Sequence, residues 1–250
     1  MAERLQPFEH TPPDGWVGWV KFQLRLLADF QVRSVYLDLK RFLSRVNGKV
    51  LDLGCGLSPY RHLLDPAKTE YIGLDIDTSS NFGYGEAKVL HFDGQHIPFP
   101  DGSIDGVMCT EVLEHVQNAQ QLVDEIYRVL KPGGSAVVTV PWSARVHYIP
   151  FDYYRFTPYV LEEMFREFLF TISPRGTDIT VIVSKVMILY LRNFLLSENI
   201  MLIMLHLLLM LVFAPFLILC VAIGHLSLMF HWGSPDDPLG WTIFLNKKES

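Results

Sequence analysis

Acidic residues and glycines stand at the ends of short apolar runs in the first half of the chain. Asp52, Gly54 and Gly56 end the run that begins at Lys49, and Asp75 ends the next run, 21 residues after Gly54. Glycine lets the backbone turn sharply and approach a ligand closely. A carboxylate at this distance can accept both hydroxyls of a ribose. The spacing therefore indicates a nucleoside site, with a purely conformational role for the glycines as the equally weighted alternative.

Two later runs end in the same way, at Asp93-Gly94 and at Thr110-Glu111. A dinucleotide-binding turn needs a third glycine, where a helix N-terminus approaches the pyrophosphate. Pro59 stands at that position. The sequence therefore disfavours a nicotinamide-dependent dehydrogenase.

The apolar runs predict strands that alternate with helices. The predicted strands are residues 49–53, 70–75, 87–92, 104–109 and 135–140, and the predicted helices begin near residue 59 and cover 119–130 and 157–168. This alternation is typical of βαβ units, which form a mostly parallel sheet with right-handed crossovers. Ligands bind beyond the carboxyl ends of such strands, where the acidic residues lie. The predicted fold class is α/β.

Six stretches resemble the class I S-adenosylmethionine-dependent methyltransferases of the broad type-11 group. They follow one another in the family's order as residues 50–56, 71–75, 92–99, 103–107, 111–116 and 127–134. The resemblance implies a Rossmann-like, seven-stranded sheet with an antiparallel last strand, and S-adenosyl-L-methionine as the cofactor. The implied contacts are Gly54 and Gly56 for the methionine part, Asp75 for the ribose, Asp93 and Gly94 for the adenine, and Asp52 and Glu111 for the ammonium end, with Cys55 and Ile76 as further cofactor-binding residues.

Methyl transfer from a sulfonium is an in-line displacement, which mainly requires alignment and exclusion of water. A base is needed only where the acceptor loses a proton, and His115, His147 and Asp152 are the candidates. A structural role for His115 is the main alternative. Arg155 could meet a polar head group, since residues 147–157 resemble a stretch found in methyltransferases of glycan or lipid-linked substrates. Alternatively, Asp152 and Arg155 pair and cap the next helix.

Composition limits the function further. The 250 residues carry 21 Lys and Arg against 27 Asp and Glu, so the net charge is −6, and no nucleic-acid partner is expected. The three cysteines lack the spacing of a metal site, so we predict no metal and expect reduced thiols in a reducing compartment. No secretory signal is expected in residues 1–10.

The apolar residues are concentrated near the end of the chain. Residues 199–235 contain no Lys, Arg, Asp or Glu, and Pro215 divides them. Residues 238–248 resemble the closing strand of the sheet, so the segment must leave and return on one side of a membrane. We therefore expect a re-entrant hairpin bent near Pro215, or a helix pair in the interface. The alternative is a hydrophobic helical subdomain that is buried against the rest of the domain or in a dimer.

These patterns divide the chain into four predicted parts. Residues 1–48 would form amphipathic helices, 49–177 the cofactor-binding core, 178–234 the membrane-associating insert and 235–250 the closing strand. The predicted function is methyl transfer to a lipid or lipid-linked acceptor, glycan-bearing or quinone-like, by a protein on the cytoplasmic side of a membrane. The alternative is a degenerate cofactor-binding scaffold that recruits a membrane partner.

Overall fold

A seven-stranded sheet forms the centre of the protein. The computed structural model describes residues 10–76, 89–195 and 200–249, so Ala87, where the third strand was predicted to begin, lies outside the described residues. The strand order is β3-β2-β1-β4-β5-β7-β6, and β7 runs antiparallel to both of its neighbours. The predicted Rossmann-like fold with an antiparallel last strand is therefore confirmed. The strands are β1 Gly48–Leu53, β2 Thr69–Ile76, β3 Val89–Phe92, β4 Ile104–Thr110, β5 Leu130–Pro141, β6 Leu169–Arg175 and β7 Gly240–Asn246.

The central strands are buried on both faces. Consecutive residues are buried in β1, β4 and β5, at 50–53, 106–109 and 136–141, as in a parallel sheet with two covered faces. Strand β6 has an exposed first half and contains Pro174, a pattern typical of an edge strand. Strand β6 was not predicted from the sequence. The helix predicted near residue 59 is also wrong, because the described chain has only a short 3-10 turn there, Arg61–Leu63.

Four helices accompany the sheet before the apolar segment, namely α1 Gly15–Ala28, α2 Phe30–Leu43, α3 Ala119–Val129 and α4 Pro158–Met164. Only Asp29 separates α1 from α2, and its carboxylate caps α2 by accepting a hydrogen bond from the Val32 amide at 3.1 Å. Thr157 caps α4, which carries Pro158 in its first turn. The N-terminal helices of the predicted architecture are thus present.

The apolar segment forms a long helical hairpin. Its arms are α5 Asp178–Leu195 and α6 Ile200–Phe230. The predicted bend near Pro215 is wrong, because α6 continues through that residue. A proline removes one backbone N–H donor, and the other residues of this leucine-rich helix keep their backbone N–H donors. Residues 196–199, between the two arms, lie outside the described residues.

Buried hydroxyls fasten the two ends of the hairpin together. The Ser227 Oγ lies 2.7 Å from Thr177 Oγ1 and 2.8 Å from Thr180 Oγ1, and it donates to the Trp232 carbonyl at 2.8 Å. The Ser234 amide donates to Asp178 Oδ1 at 2.9 Å. The start of α5 and the end of α6 therefore lie next to each other beside the sheet, close to β7.

Candidate functional site

The turn after β1 brings backbone close to the centre of the sheet edge. Gly54 has a φ of 70°, and a Cβ added there would overlap the Val112 side chain. Gly56 also has a positive φ, of 50°. The β1–β4 pair is where the strand order reverses, which is the usual ligand crevice of such a sheet. Gly54 is therefore required both by its backbone conformation and by the close approach of Val112.

Asp75 is held against this glycine turn from the end of β2. Its Oδ2 accepts a hydrogen bond from the Gly56 amide at 2.7 Å, and its Oδ1 accepts one from the Ile76 amide at 2.8 Å. Burial raises the pKa of Asp75, and the two amides oppose this shift. Two backbone donors thus fix the carboxylate in orientation, while each oxygen keeps lone pairs for a ligand hydroxyl.

Asp52 lies beneath the same turn and is almost completely buried. The Tyr71 hydroxyl donates to its Oδ2 at 2.7 Å, and Ser58 Oγ lies 2.7 Å from the same hydroxyl. Burial raises the pKa of Asp52 to about 7, with Asp75 adding a smaller contribution of the same sign. The sulfur of Cys55, the residue between the glycines, is directed at the Gly56 carbonyl at 3.7 Å. A buried acid of this kind would be stabilised in its charged form by a cation.

Glu111 follows β4 with a φ of 55°, a conformation that is uncommon for a residue with a side chain. Its Oε1 accepts a 2.6 Å hydrogen bond from Arg175 Nη2, and its Oε2 accepts a 2.7 Å bond from Gln31 Nε2. Arg175 is only 2% exposed and also donates to the Val140 carbonyl at 3.0 Å. The sequence analysis identified neither Gln31 nor Arg175, since both lie far from Glu111 in sequence.

Asp93 and Gly94 lie after β3, at the exposed rim. Asp93 Oδ1 accepts hydrogen bonds from the Gln95 amide at 2.8 Å and the His96 amide at 2.7 Å. These bonds hold the pKa of Asp93 below its ordinary value. Gly94 has a φ of 78°. Residues 77–88, between β2 and this turn, lie outside the described residues.

The loop after β5 places a second polar group across the crevice. Asp152 and Arg155 form a two-point ion pair, Nη1 to Oδ1 at 2.6 Å and Nη2 to Oδ2 at 2.8 Å. The His147 amide donates to Asp152 Oδ2 at 3.0 Å. Arg155 also donates to the carbonyls of Tyr154 and Arg145. The guanidinium is therefore engaged within the loop, as in the pairing alternative, although Thr157 rather than this pair caps α4.

The two candidate histidines are close neighbours. Their ring centroids are 4.8 Å apart and the planes are nearly perpendicular. His115 lies in a short 3-10 turn, Leu113–His115, directly after β4, and burial lowers its pKa. Glu114, in the same turn, is fully buried, and the sequence analysis assigned it no role. A charged residue between Leu113 and His115 in a turn after β4 is the signal that could have drawn attention to it.

Comparison with known proteins supports the resemblance. Residues 51–138 match a family described as a methyltransferase domain. A probable S-adenosylmethionine-dependent methyltransferase of Mycolicibacterium smegmatis is 34% identical over 107 residues, 41% of this chain and 42% of the relative. A sterol 24-C-methyltransferase of Neurospora crassa is 35% identical over 98 residues, 35% of this chain and 26% of the relative. The chain spans less than half the length of either protein.

A solved structure agrees over nearly the whole chain. A methyltransferase dependent on S-adenosylmethionine from Archaeoglobus fulgidus has a TM-score of 0.54 and 19% identity, and the match covers 92% of this chain and 99% of the other. Residues 51–138 form a class I S-adenosylmethionine-dependent methyltransferase domain. S-adenosyl-L-methionine is therefore the cofactor of this domain.

The donor set of the methyltransferase domain fits this cofactor. The glycine turn provides backbone in the left-handed conformation at the crevice, Asp75 provides an oriented acceptor for ribose hydroxyls, and buried Asp52 suits a cationic ligand. Glu111 already has a guanidinium on one oxygen and an amide on the other. Its predicted place at the ammonium end, like the other predicted contacts, stays a prediction.

Proposed function

We propose that this methyltransferase is attached to a membrane and methylates a lipid or a lipid-linked acceptor. The exposed apolar surface of the α5–α6 hairpin carries this proposal. Among the described residues, one helical segment, Leu211–Phe230, is long and apolar enough to cross a membrane, with a mean hydropathy of 2.3 over 20 residues. Only 11% of that segment is buried. A core helix of a soluble protein would be mostly buried, so water is a poor solvent for this surface.

The apolar surface continues from the hairpin onto α1. His225 Nε2 lies 2.9 Å from the Leu27 carbonyl, which joins the end of α6 to the end of α1. Helix α1 exposes Trp16, Trp19 and Leu24, and Trp16 is 78% exposed. Lys21 and Arg25 lie on the same helix. Tryptophans together with basic residues suit the interface of a membrane that contains anionic lipids.

The ends of the hairpin favour attachment from one side. Thr177 and Ser227 hold its first and last turns together, and β7 follows at once between β5 and β6. A single crossing would separate β7 from the sheet that it completes. We therefore infer monotopic or re-entrant attachment on the cytoplasmic face, where the cofactor is made.

The hairpin and the cofactor crevice both contact the first turn of α2. Phe30, at the start of α2, packs with Val181 and Val183 of α5 and with Cys220 of α6. The next residue, Gln31, bonds Glu111 in the crevice. An acceptor that enters from the membrane along α1 and α2 would thus reach the crevice directly. The sterol methyltransferase relative acts on a lipid, which agrees with this class of acceptor.

The chemistry requires little of the protein besides positioning. The bound cofactor supplies a methyl group on a sulfonium. Asp75 and the glycine turn would hold the nucleoside, buried Asp52 would favour the positive charge, and the 142–157 loop would close the acceptor side and exclude water. Where the acceptor loses a proton, His115 or His147 could take it, because both histidines lie at the acceptor side of the crevice.

The test is transfer of a radiolabelled methyl group from S-adenosyl-L-methionine to a membrane lipid extract by the detergent-purified full chain. Label should enter the organic phase, and Asp75→Ala should abolish the transfer. Label that enters only water-soluble acceptors would overturn the lipid assignment. Cofactor binding without any transfer to lipid or aqueous extracts would favour the scaffold instead.

A further inference from the structure

Glu114, His115 and His147 place potential metal ligands together at the acceptor side of the crevice. One ligand atom of each residue lies within 4.8 Å of the other two. The His115 Nε2 is 3.6 Å from Glu114 Oε1, which is too long for a hydrogen bond. Two of the residues come from the turn after β4 and the third from the loop after β5. The cluster is therefore created by the fold, since His115 and His147 lie 32 positions apart in the sequence.

Glu114 is the unusual member of this cluster. Its side chain is fully buried, and neither carboxylate oxygen has a hydrogen-bond partner among the described residues. A buried polar group without a partner is costly. A cation placed between Glu114 and the histidines would remove this cost.

Both imidazoles are already oriented through their Nδ1 atoms. The His115 Nδ1 lies 2.8 Å from the Phe151 carbonyl, and the His147 Nδ1 lies 3.1 Å from the Arg145 carbonyl and 3.3 Å from Asp152 Oδ2. A carbonyl oxygen can only accept a hydrogen bond, so it favours the imidazole tautomer with hydrogen on Nδ1 and a lone pair on Nε2. Metal-binding histidines are oriented by carbonyls and carboxylates in this same way.

We propose that Glu114, His115 and His147 bind one divalent first-row transition-metal ion, of the class represented by Zn²⁺. Two imidazoles and one carboxylate suit such ions, whereas Mg²⁺ and Ca²⁺ prefer oxygen ligands. Three protein ligands leave a position open, as in catalytic zinc sites. This site contradicts the expectation from the cysteine spacing that the chain holds no metal.

The geometry needs only a small closure. Ligand atoms about 2.1 Å from a common tetrahedral Zn²⁺ lie about 3.4 Å apart, so the cluster must contract by about 1.4 Å at its widest separation. Rotation of the two imidazole side chains supplies this movement. Both histidine side chains are partly exposed, 19% for His115 and 17% for His147, which leaves the ion a route of entry.

The ion would also favour a hydroxyl acceptor, an inference that rests on the proposed function. Because His115 and His147 would both bind the ion, neither would act as the base, and a hydroxyl at the open position, made more acidic by the ion, would lose its proton to solvent instead. Its oxygen lone pair then forms the bond to the methyl carbon while the carbon–sulfur bond breaks, and the bond electrons return to sulfur. An oxygen acceptor, rather than a carbon acceptor, is the class that this arrangement supports.

The test is calorimetric titration of the chelator-treated, tag-free full chain in detergent with ZnCl₂. The wild type should bind one equivalent, and His115→Gln and His147→Gln should each lower the affinity at least tenfold. His96→Gln is the matched control, because His96 Nδ1 also lies 2.9 Å from a carboxylate oxygen, of Glu125, but at an exposed site outside the cluster. Absence of stoichiometric binding, or an equal loss in all three variants, would overturn the site.

Two further readouts keep this result separate from the proposed function. Replacement of Zn²⁺ by Co²⁺ should give a visible d–d absorption band that His147→Gln changes and His96→Gln does not. Binding of S-adenosyl-L-methionine should persist in every histidine variant, which shows that each variant is folded. Zinc binding without lipid methylation would refute the proposed acceptor but keep the metal site, and lipid methylation without zinc binding would do the reverse.

Discussion

The Gln31 side chain donates a 2.7 Å hydrogen bond to Oε2 of Glu111, 80 residues away in sequence, and so fastens the start of α2 to the end of β4. Arg175, at the end of β6, holds the other oxygen of the same carboxylate. Phe30, the neighbour of Gln31, packs on the root of the apolar hairpin. The N-terminal helices, the crevice and the hairpin therefore meet within one turn of α2.

Replacement of Arg175 should be strongly destabilising. Arg175→Met leaves Glu111 without its guanidinium in a partly buried position, and we expect a loss of about 2–4 kcal/mol in the free energy of unfolding. Arg166→Met is the matched control, since its ion pair with Glu163 is exposed and should contribute less than about 1 kcal/mol. Denaturant unfolding in detergent measures both. If the two variants lose equal stability, the buried pair does not have this role.

The part of the site that follows local motifs could be predicted from the sequence, and the part made by long-range contacts could not. Asp52, Asp75 and Glu111 lie at the ends of the neighbouring parallel strands β1, β2 and β4, so one rule of sheet topology brings them to one edge. Gln31 and Arg175 follow no local pattern, because their contacts with Glu111 arise only when α2 and β6 pack. Glu114 was overlooked for a similar reason, since its importance depends on His147 in another loop.

The same distinction explains the errors in the fold. Strand β6 is an edge strand with an exposed first half and a proline, so the usual alternation of buried and exposed residues is absent. Pro215 predicted a bend because proline ends most helices, but the surrounding α6 is uninterrupted. In both cases the surrounding fold, rather than the local preference of the residues for helix or strand, determined the structure.

Asp75 should be essential for binding the cofactor. Asp75→Ala removes the acceptor of the Gly56 and Ile76 amides together with the predicted ribose contact, so the affinity for S-adenosyl-L-methionine should fall at least tenfold, or about 1.4 kcal/mol. Asp65→Ala is the control, because Asp65 also accepts a backbone amide but lies in an exposed turn. Isothermal titration measures both affinities. Unchanged binding by Asp75→Ala would remove Asp75 from the site.

Asp52 should make stability depend on pH. Burial raises its pKa in the folded protein to about 7, above the unfolded value of 3.8, so the folded state binds its proton more tightly. The contribution of this group to stability is present below about pH 4 and is lost as the pH rises toward 7. The Tm of Asp52→Asn relative to the wild type should therefore rise steadily as the pH increases from 4 to 8, because burial disfavours the charged carboxylate of the wild type. A Tm difference that does not change with pH would show that Asp52 titrates normally.

The hairpin should be responsible for attachment to membranes. The full chain should float with vesicles of phosphatidylcholine and phosphatidylglycerol, also at high salt, because the contact is mainly apolar. Leu211→Lys with Ile218→Lys should abolish flotation, since each lysine costs about 2.5–3.5 kcal/mol in hydrocarbon. The control pair is Tyr159→Lys with Val160→Lys, at exposed positions of α4 outside the hairpin. Equal flotation of both pairs would contradict the membrane role of the hairpin.

Gly224 should couple the hairpin to the crevice. It faces Phe30 so closely that an added Cβ would lie 2.5 Å from the ring Cζ, so Gly224→Ala must displace Phe30. Because Gln31 is the next residue, this shift should weaken its bond to Glu111 and lower the affinity for S-adenosyl-L-methionine severalfold. Membrane flotation should be unchanged, since the outer surface of the hairpin is intact.

A second variant distinguishes this coupling from general damage. Phe30→Leu shortens the side chain that Gly224→Ala displaces, so the double variant should recover part of the cofactor affinity that Gly224→Ala loses. Ala222→Gly, a neighbouring change on α6, tests whether any backbone perturbation of the helix has the same effect. Titration of the wild type, Gly224→Ala, Phe30→Leu and the double variant with S-adenosyl-L-methionine gives the coupling free energy. If the effects of the two substitutions on cofactor affinity are additive, Gly224→Ala does not act on the crevice through Phe30.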